Sequence, residues 1–213
     1  MLKTDHFIFN AFAENTYIVS DDVSKECIIV DPGCSSSFEK EELVDFLETG
    51  GLRLKAFMNT HCHIDHILGN RFLKDTFKVP FLAPEEDLFM LELMLKEARK
   101  FGFEMEPSPW PDILIKEDLY FDLGGREVKF LFTPGHSPGG YCLYFKDDNF
   151  CITGDVLFHE GIGRTDLWGG NYDSLIDSIE TKLFMLPEDT IIYPGHGDKS
   201  TIGHEKTNNP FLT

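Results

Sequence analysis

Six residues near the end of the first third of the chain concentrate metal-binding chemistry. The stretch Thr60-His61-Cys62-His63-Ile64-Asp65-His66 places three imidazoles and a carboxylate directly after an apolar run. His61 and His63, two positions apart, project to the same side of an extended or loop segment, whereas Asp65 and His66 are adjacent and point differently. One tetrahedral ion would accommodate all four ligands poorly, so the spacing favours two ions.

Three later clusters carry the same kinds of side chain. Each follows an apolar run and sets one ligand beside glycine: Gly135-His136, Gly154-Asp155 and Gly195-His196. Glycine allows a tight turn that brings the side chain inward, as the rim of an active site requires. Imidazole with carboxylate and no thiolate suits zinc, iron or manganese. Seven ligands suffice for a dinuclear centre with water between the metals.

The elements before the first motif are predicted to deliver it at a strand end. Short β-rich runs at residues 6–9, 16–20 and 26–30 predict an antiparallel meander. A helix is expected after Ser35-Ser36-Ser37, ending at Gly50-Gly51. A buried strand at 52–58 then leads into the motif, and residues 67–73 predict the helix that follows.

The middle of the chain departs from this pattern. Residues 84–99 predict a long amphipathic helix, acidic at its start and basic near its end. The proline-rich stretch 102–111 around Trp110 cannot continue a helix, so it predicts a surface excursion. Its aromatic side chains would suit a substrate cleft, but burial of Trp110 in the core is the favoured expectation.

The second half again contains predicted strands that end in polar clusters. Strands are predicted at 126–132, 141–145, 150–153 and 190–193, with a helix at 172–184. No linker divides the chain. We therefore predict one four-layer αββα domain of mixed α/β (α+β) class over residues 1–213, with a helical and proline-rich excursion at about 84–111.

Charge and cysteine usage restrict the partners. The net charge is −18, from 37 acidic and 19 basic residues, which disfavours nucleic acid and anionic membranes. The five cysteines form no CxxC pair, which favours reduced thiols in the cytoplasm. The first residues lack a leader pattern and no segment has the roughly 20 apolar residues of a membrane span. A small molecule is the expected partner.

The motif His61-x-His63-x-Asp65-His66, with His136, Asp155 and His196 in order, resembles the metallo-β-lactamase fold superfamily. By that resemblance His61, His63 and His136 hold the first metal. Asp65, His66 and His196 hold the second, and Asp155 bridges the two. Two divalent ions, zinc with iron or manganese as alternatives, are the implied cofactors.

Within the superfamily the sequences of the motifs look like those of the glyoxalase II group. The shared motifs are residues 60–63, 133–140, 154–158, 163–166 and 194–197. The resemblance implies a hydrolase of a hydroxyacylglutathione-type thioester, with a metal-bridging hydroxide as nucleophile that Asp65 ligates and orients. Asp155 stands where many zinc β-lactamases have cysteine, which argues against a lactamase. After residues 210–212 the chain ends without the helical domain that binds glutathione in the prototype.

Several side chains have a structural interpretation as an alternative to a functional one. Arg164 is a candidate for a substrate carboxylate, as is Lys199 more weakly, but Arg164 could simply pair with Asp166. His159 is expected on the surface, and His204 is a candidate brace for His196. Cys62 is expected to be a small buried residue rather than a nucleophile.

Two other functions remain open. One is a persulfide dioxygenase with a single iron on His61, His136 and Asp155. The other is a non-catalytic metal-binding module, which has no need of seven ligands around an open centre.

Overall fold

The computed structural model describes residues 1–212. The chain divides into two compact units, residues 1–114 with 123–125 and residues 115–122 with 126–213. Each unit is described by itself. The single domain expected over residues 1–213 stays a prediction.

The first unit is built on a six-stranded sheet whose spatial order follows the sequence. The strands are β1 (Leu2–Phe9), β2 (Glu14–Asp21), β3 (Glu26–Val30), β4 (Arg53–Met58), β5 (Phe81–Pro84) and β6 (Ile113–Ile115). The first three pair antiparallel, which confirms the predicted meander, and β3, β4 and β5 run parallel. All eight residues of β2 are buried, so the hairpin is anchored by its second strand.

The helices of the first unit are α1 (Ser37–Gly50), α2 (Ile64–Ile67), α3 (Asn70–Phe77) and α4 (Leu88–Glu97). A capping box starts α1, because the Ser36 side chain accepts from the Glu39 N–H and Glu39 accepts from the Ser36 N–H. Gly51 ends it in the left-handed conformation with φ +61°. The predicted start and end of this helix are confirmed.

Two predicted helices of the first unit are wrong in their bounds. The single helix expected at 67–73 is interrupted at Gly69, where a Cβ would lie 2.6 Å from Cys34 Sγ and 2.7 Å from the Pro32 carbonyl oxygen. The helix expected over 84–99 begins only at Leu88, because the preceding residues form β5 and a short 3₁₀ turn. Residues Phe81–Pro84 form the fifth strand of the sheet. The helical pattern that begins at residue 84 gave no sign of this strand.

The proline-rich excursion is observed, but its tryptophan is not a core residue. Residues 103–111 have no regular secondary structure, and Trp110 is 60% exposed. Proline at positions 107, 109 and 111 removes backbone N–H donors. This segment therefore does not pair as a strand that would bring the Trp110 indole into the core.

The second unit contains a six-stranded sheet in the order β14-β13-β10-β9-β8-β7 and a small hairpin, β11-β12. Its strands are β7 (Phe121–Leu123), β8 (Arg126–Phe132), β9 (Tyr141–Phe145), β10 (Phe150–Gly154), β11 (Leu157–Phe158), β12 (Gly161–Ile162), β13 (Ile191–Pro194) and β14 (Ser200–Thr201). Its helices are α5 (Tyr172–Thr181) and α6 (Ile202–Asn208). The helix predicted to reach residue 184 ends at Thr181 and passes into a 3₁₀ turn.

The core of the second unit lies between its sheet and these helices. Leu175, Ile179 and Leu183 are fully buried with Cys151 and Ile192. Leu175, Ile179 and Leu183 are four residues apart, so they lie on one face of α5 and of the turn that follows it. This face packs in the core. Two sheets with helices confirm the mixed α/β class.

Two further expectations about the chain concern its cysteines and helices. All five cysteines are free and buried, as predicted for reduced thiols. Among residues 1–212, the helices are all too short or too polar to traverse a bilayer.

Candidate metal centre

The first motif lies at the carboxyl end of β4, in the loop that leads into α2. Because β4 is a buried parallel strand, its end projects the following residues at the sheet edge, where active-site loops form. His61, His63 and His66 are 2%, 5% and 0% exposed. Asp65 retains some exposure on its side chain. Four potential ligands are thus held in one largely buried turn.

The three imidazoles of this turn contact one another. The ring centroids of His61 and His63 are 4.8 Å apart with the rings perpendicular, and those of His61 and His66 are 4.1 Å apart. Buried imidazolium cations at such separations would repel strongly. Neutral imidazoles avoid that cost, and the neutral ring is the form that binds metals.

Asp31 orients His66 and the start of the ligand loop. Its Oδ1 accepts from the Thr60 N–H at 2.7 Å and its Oδ2 from the Thr60 hydroxyl at 2.6 Å. The same Oδ2 lies 3.1 Å from His66 Nδ1. A carboxylate at Nδ1 keeps the proton there and leaves Nε2 as the ligand atom. Nε2 faces Asp65, with Oδ2 at 3.6 Å.

Further hydrogen bonds fix the backbone of this loop. The Cys62 N–H donates to buried Asp87 at 3.0 Å, and the Asn59 amide donates to the His66 carbonyl at 2.7 Å. Burial, followed by the charges of Asp87 and Asp31, raises the pKa of the Cys62 thiol well above its ordinary value. The expectation that Cys62 is a buried residue rather than a nucleophile is confirmed.

A buried carboxyl group lies beneath the motif. Glu14 is fully buried; its Oε2 accepts from the Thr16 hydroxyl, and its Oε1 accepts no hydrogen bond. Burial raises its pKa well above the ordinary value, His66 opposes the shift, and Asp31 and Asp65 add to it. The first unit therefore concentrates carboxyl groups around His66, an environment that favours a bound cation.

The turn between β1 and β2 also contacts the motif. Asn10 donates from Nδ2 to the Asp65 carbonyl at 3.0 Å and to the Gly33 carbonyl at 3.1 Å. Its Oδ1 accepts from the Phe12 N–H at 2.9 Å. The Phe12 ring lies 6.0 Å from the Phe101 ring and 5.6 Å from the Phe103 ring. We call these three residues the aromatic cluster.

In the second unit, His136 lies in the loop between β8 and β9. Gly135 has φ +135°, and a Cβ there would lie 2.3 Å from the Leu175 backbone nitrogen. The Gly135 carbonyl accepts from the Asn171 N–H at 2.8 Å, which ties the loop to α5. His136 Nδ1 lies 2.8 Å from the Arg164 carbonyl oxygen. This contact places the proton on Nδ1 and makes Nε2 the ligand atom.

Asp155 lies between two histidines of the second unit. Its Oδ2 is 3.5 Å from His136 Nε2 and 3.5 Å from His196 Nε2. The three come from different strand ends, and the Gly195 N–H to Gly154 carbonyl bond (2.8 Å) ties the ends of β10 and β13, which precede Asp155 and His196. A carboxylate oxygen approached by two imidazole nitrogens is a suitable donor set for a divalent ion.

Gly163 makes this arrangement possible. A Cβ at this position would lie 1.8 Å from the Asp155 carbonyl oxygen and 3.1 Å from the His136 Cβ. The segment after β12 therefore passes directly over the backbone of one ligand. Any larger residue would displace Asp155.

The weaker candidates are placed as follows. Arg164 forms a two-point ion pair with Asp166 at 2.7 and 2.8 Å, which confirms the structural alternative, and both side chains are exposed. His159 is exposed, as expected. His204 does not brace His196; its side-chain partners are Glu160, Asn208 and His159.

The sequence reasoning missed Asp31, Asp87 and Glu14. The pattern Asp31-Pro32-Gly33 is typical of a turn, and the left-handed φ of +52° at Asp31 agrees with a turn. The signal lay in an acidic residue at the end of buried β3, beside the strand that leads into the ligand loop. Asp87 was assigned to a helix start, so its contact 25 residues away was not foreseen.

The donor chemistry of both units fits divalent metal ions. Each supplies buried neutral-type imidazoles together with carboxylate, and no thiolate lies among these ligands. In the second unit the Arg164 carbonyl at His136 Nδ1 favours the tautomer with Nε2 free for a metal, and in the first unit the Asp31 carboxylate, 3.1 Å from His66 Nδ1, favours the same tautomer by its charge. The residues present are therefore suited to metal binding.

Comparison with known proteins agrees with the motif. The Metallo-beta-lactamase superfamily profile matches residues 10–196. The chain is 40% identical over 204 residues to hydroxyacylglutathione hydrolase GloC of Haemophilus influenzae, covering 95% of this chain and 94% of the relative.

Two solved structures extend the comparison. The BLEG-1 B3 metallo-beta-lactamase is 34% identical with a TM-score of 0.90, and each chain is covered completely. TTHA1623 in a di-iron-bound form is 30% identical with a TM-score of 0.87, covering 98% of this chain and all of that one. The expected fold is confirmed, and the chain belongs to the metallo-beta-lactamase superfamily as a metallo-hydrolase.

Proposed function

We propose that this metallo-hydrolase cleaves a thioester of the hydroxyacylglutathione type at a centre of two divalent ions. The proposed ligands are His61, His63, Asp65, His66, His136, Asp155 and His196. The family motif assigns His61, His63 and His136 to one ion, Asp65, His66 and His196 to the other, and Asp155 to both. Zinc is the proposed metal; the di-iron form of TTHA1623 supports iron as the alternative.

The observation that carries the substrate class is the 40% identity with a protein named hydroxyacylglutathione hydrolase, over nearly the whole of both chains. The imidazole and carboxylate donors of the site suit a hydrolytic divalent centre, and they also suit iron, so the substrate class rests on this identity. The identity of the thiol and of the acyl group belongs to the proposal.

The residues of the chain position the reacting groups. When bound, divalent ions lower the pKa of coordinated water from about 15.7 to about 7 and polarise a carbonyl oxygen. Asp65 is the proposed catalytic residue, since its carboxylate lies beside His66 and its backbone is fixed by Asn10. Asp31 and the Arg164 carbonyl keep His66 and His136 in the tautomers needed for binding.

Two features are proposed to bind substrate. Arg164 offers a guanidinium for a substrate carboxylate. Its present partner Asp166 is exposed, and solvent screening keeps exposed ion pairs weak, so Arg164 can exchange this partner for a substrate carboxylate at little cost. The aromatic cluster adjoins the Asp65 loop through Asn10 and is proposed to contact the apolar part of the substrate.

The test measures metal content and thiol release together. Purified protein loaded with zinc is expected to contain two ions and to release thiol from S-lactoylglutathione. Asp65→Ala and His136→Ala are expected to lose metal and hydrolysis while circular dichroism stays unchanged. His6→Ala, which lies outside the ligand set and contacts Tyr17, is the control that keeps both. Full hydrolysis by a folded, metal-free ligand variant would exclude the proposal.

Two parallel assays separate the other functions. One bound iron with oxygen uptake on glutathione persulfide would indicate the dioxygenase, and bound metal without turnover of any substrate would indicate the binding module. A lactoyl thioester of another thiol, compared with the glutathione ester, tests whether glutathione is recognised at all.

A second candidate function is β-lactam hydrolysis, although the aspartate at position 155 argues against it. The specific observation in its favour is the 34% identity and 0.90 TM-score with a B3 metallo-beta-lactamase. Both reactions hydrolyse an activated carbonyl, so one centre can serve either. Comparison of kcat/KM for lactoylglutathione and for a chromogenic cephalosporin decides which substrate class is preferred.

We also propose a cytoplasmic protein without nucleic-acid or membrane partners. The support is the net charge of −18 and the five buried free thiols. Fractionation of cells, with the enzyme assayed in each fraction, tests the location.

A further inference from the structure

We propose that His159, Glu160 and His204 form an additional binding site for one divalent transition metal ion, separate from the ligands assigned above. All three belong to the second unit. His159 and Glu160 occupy the turn of the β11–β12 hairpin, and His204 lies in the first turn of α6. One ligand atom from each residue lies within 4.8 Å of the other two.

The measured separations fit a coordinated ion. Glu160 Oε1 is 3.1 Å from His204 Nε2 and 3.8 Å from His159 Nε2. In tetrahedral zinc sites, metal–ligand distances of about 2.0–2.2 Å put neighbouring ligand atoms roughly 3.3 Å apart. The two observed distances bracket that value. Shifts of a few tenths of an ångström in exposed side chains would complete the geometry.

The backbone that carries the ligands is held in place without a metal. The Glu160 N–H donates to the buried carboxylate of Glu205 at 2.9 Å, and Glu160 has φ +53°. Asn209 binds the Gly161 carbonyl at 3.0 Å and Glu205 Oε2 at 2.8 Å. The hairpin turn is therefore fixed against the last helix, so ligand binding orders side chains and not the backbone.

The surroundings leave room for an ion and its remaining ligands. The three side chains are 46%, 50% and 36% exposed. A pocket lined by His159 and His204, together with Lys199, Ser200 and Thr201, has room for the water or anion that would complete the coordination. Metal on His204 Nε2 requires a proton on Nδ1, so the Asn208 NH₂ group, which lies 3.3 Å from Nδ1 and donates to the His204 carbonyl at 3.1 Å, has to move away from Nδ1. The net charge of −18 attracts the cation.

An ion at this position would join the β11–β12 turn to α6. The hairpin begins two residues after Asp155 and returns over its backbone at Gly163. The ion would therefore brace the segment that packs on this ligand. Its effect is on the rigidity of the hairpin, since the turn lies on the exposed surface.

The experiment starts from holoenzyme whose high-affinity metals are already bound and adds zinc. Calorimetry is expected to detect one further equivalent, and the imidazole NMR signals of His159 and His204 are expected to shift while that of His6 does not. His204→Ala and Glu160→Gln are expected to bind this equivalent at least tenfold more weakly. Glu160→Gln keeps the shape of the turn residue and so guards against misfolding of the His204 variant.

The control is His6→Ala, which should bind the additional ion as the wild type does. Equal affinity in wild type, His204→Ala and Glu160→Gln would overturn the proposal, as would the absence of a further equivalent at millimolar zinc. Because the readout is metal uptake and not turnover, the result is independent of whether the proposed thioester hydrolysis is correct.

Discussion

Replacement of Asp31 by Asn tests whether a residue that binds no metal in the proposed ligand set controls metal affinity. Asn has nearly the same shape and also tolerates the left-handed backbone, here φ +52°. It changes only which atoms donate. In one orientation the NH₂ group of Asn replaces Oδ2, which accepts from the Thr60 hydroxyl and faces His66 Nδ1. In the other orientation the NH₂ group replaces Oδ1, which accepts from the Thr60 N–H.

Both orientations of the Asn amide have a defined cost. If NH₂ faces His66, the ring must carry its proton on Nε2, the atom proposed to bind metal. The loss of such an orienting partner costs about 10–100-fold in metal affinity. If NH₂ faces the Thr60 N–H, one buried donor is unsatisfied, at about 1–3 kcal/mol. The variant should remain folded, because total stabilities are about 5–15 kcal/mol.

The assay is competition for zinc with a chromophoric chelator, combined with urea unfolding of the same samples. We expect one of the two ions to bind about 10–100-fold more weakly in Asp31→Asn. Thr190→Val is the matched control, since it removes a buried hydroxyl that donates to Asn149 at 2.8 Å, away from every ligand. Asp31→Asn that binds both ions with wild-type affinity would refute the reasoning.

Three further predictions concern other parts of the chain. Gly163→Ala should lower kcat and metal content together, because its Cβ would collide with the Asp155 carbonyl; Gly125→Ala, with no atom within 4 Å but a left-handed φ of its own, is a control for glycine loss alone. Phe12→Ala should raise KM at least severalfold with little change in kcat, measured by steady-state kinetics; an unchanged KM would remove the aromatic cluster from the substrate site. Glu39→Gln should destabilise the protein at pH 7, and this effect should shrink as the pH falls below 4.5, measured by urea unfolding. Burial acts to raise the Glu39 pKa, but hydrogen bonds from Ser36, Asn10 and Ser35 hold it below its ordinary 4.5, so its stabilisation is present above that value and lost as the pH falls through the depressed pKa.

Local patterns predicted the elements that have local causes. The meander of β1 to β3 and the capped start of α1 follow from strand-forming runs and a Ser-Glu capping pair, which act within a few residues. The proposed ligands could be recognised for the same reason, since their spacing is a property of short segments, and their role stays a prediction.

Features that depend on distant partners could not be predicted. Trp110 is large and apolar, yet the neighbouring prolines prevent the pairing that would bury it. The run Phe81–Pro84 becomes a strand only because β4 offers a parallel neighbour. Asp31 reaches Thr60 across 29 positions, and Asp87 reaches Cys62 across 25, so their roles arise from the tertiary fold.

The burial of the five cysteines has a practical consequence for labelling. None is accessible, and burial raises the pKa of Cys27 and Cys34 to about 12, so their thiols stay protonated at neutral pH. Because only an exposed thiolate reacts readily with maleimides, the native cysteines should contribute little background labelling. A single cysteine introduced on an exposed site, such as Lys199→Cys, would accept one fluorophore or spin label without removal of any native cysteine.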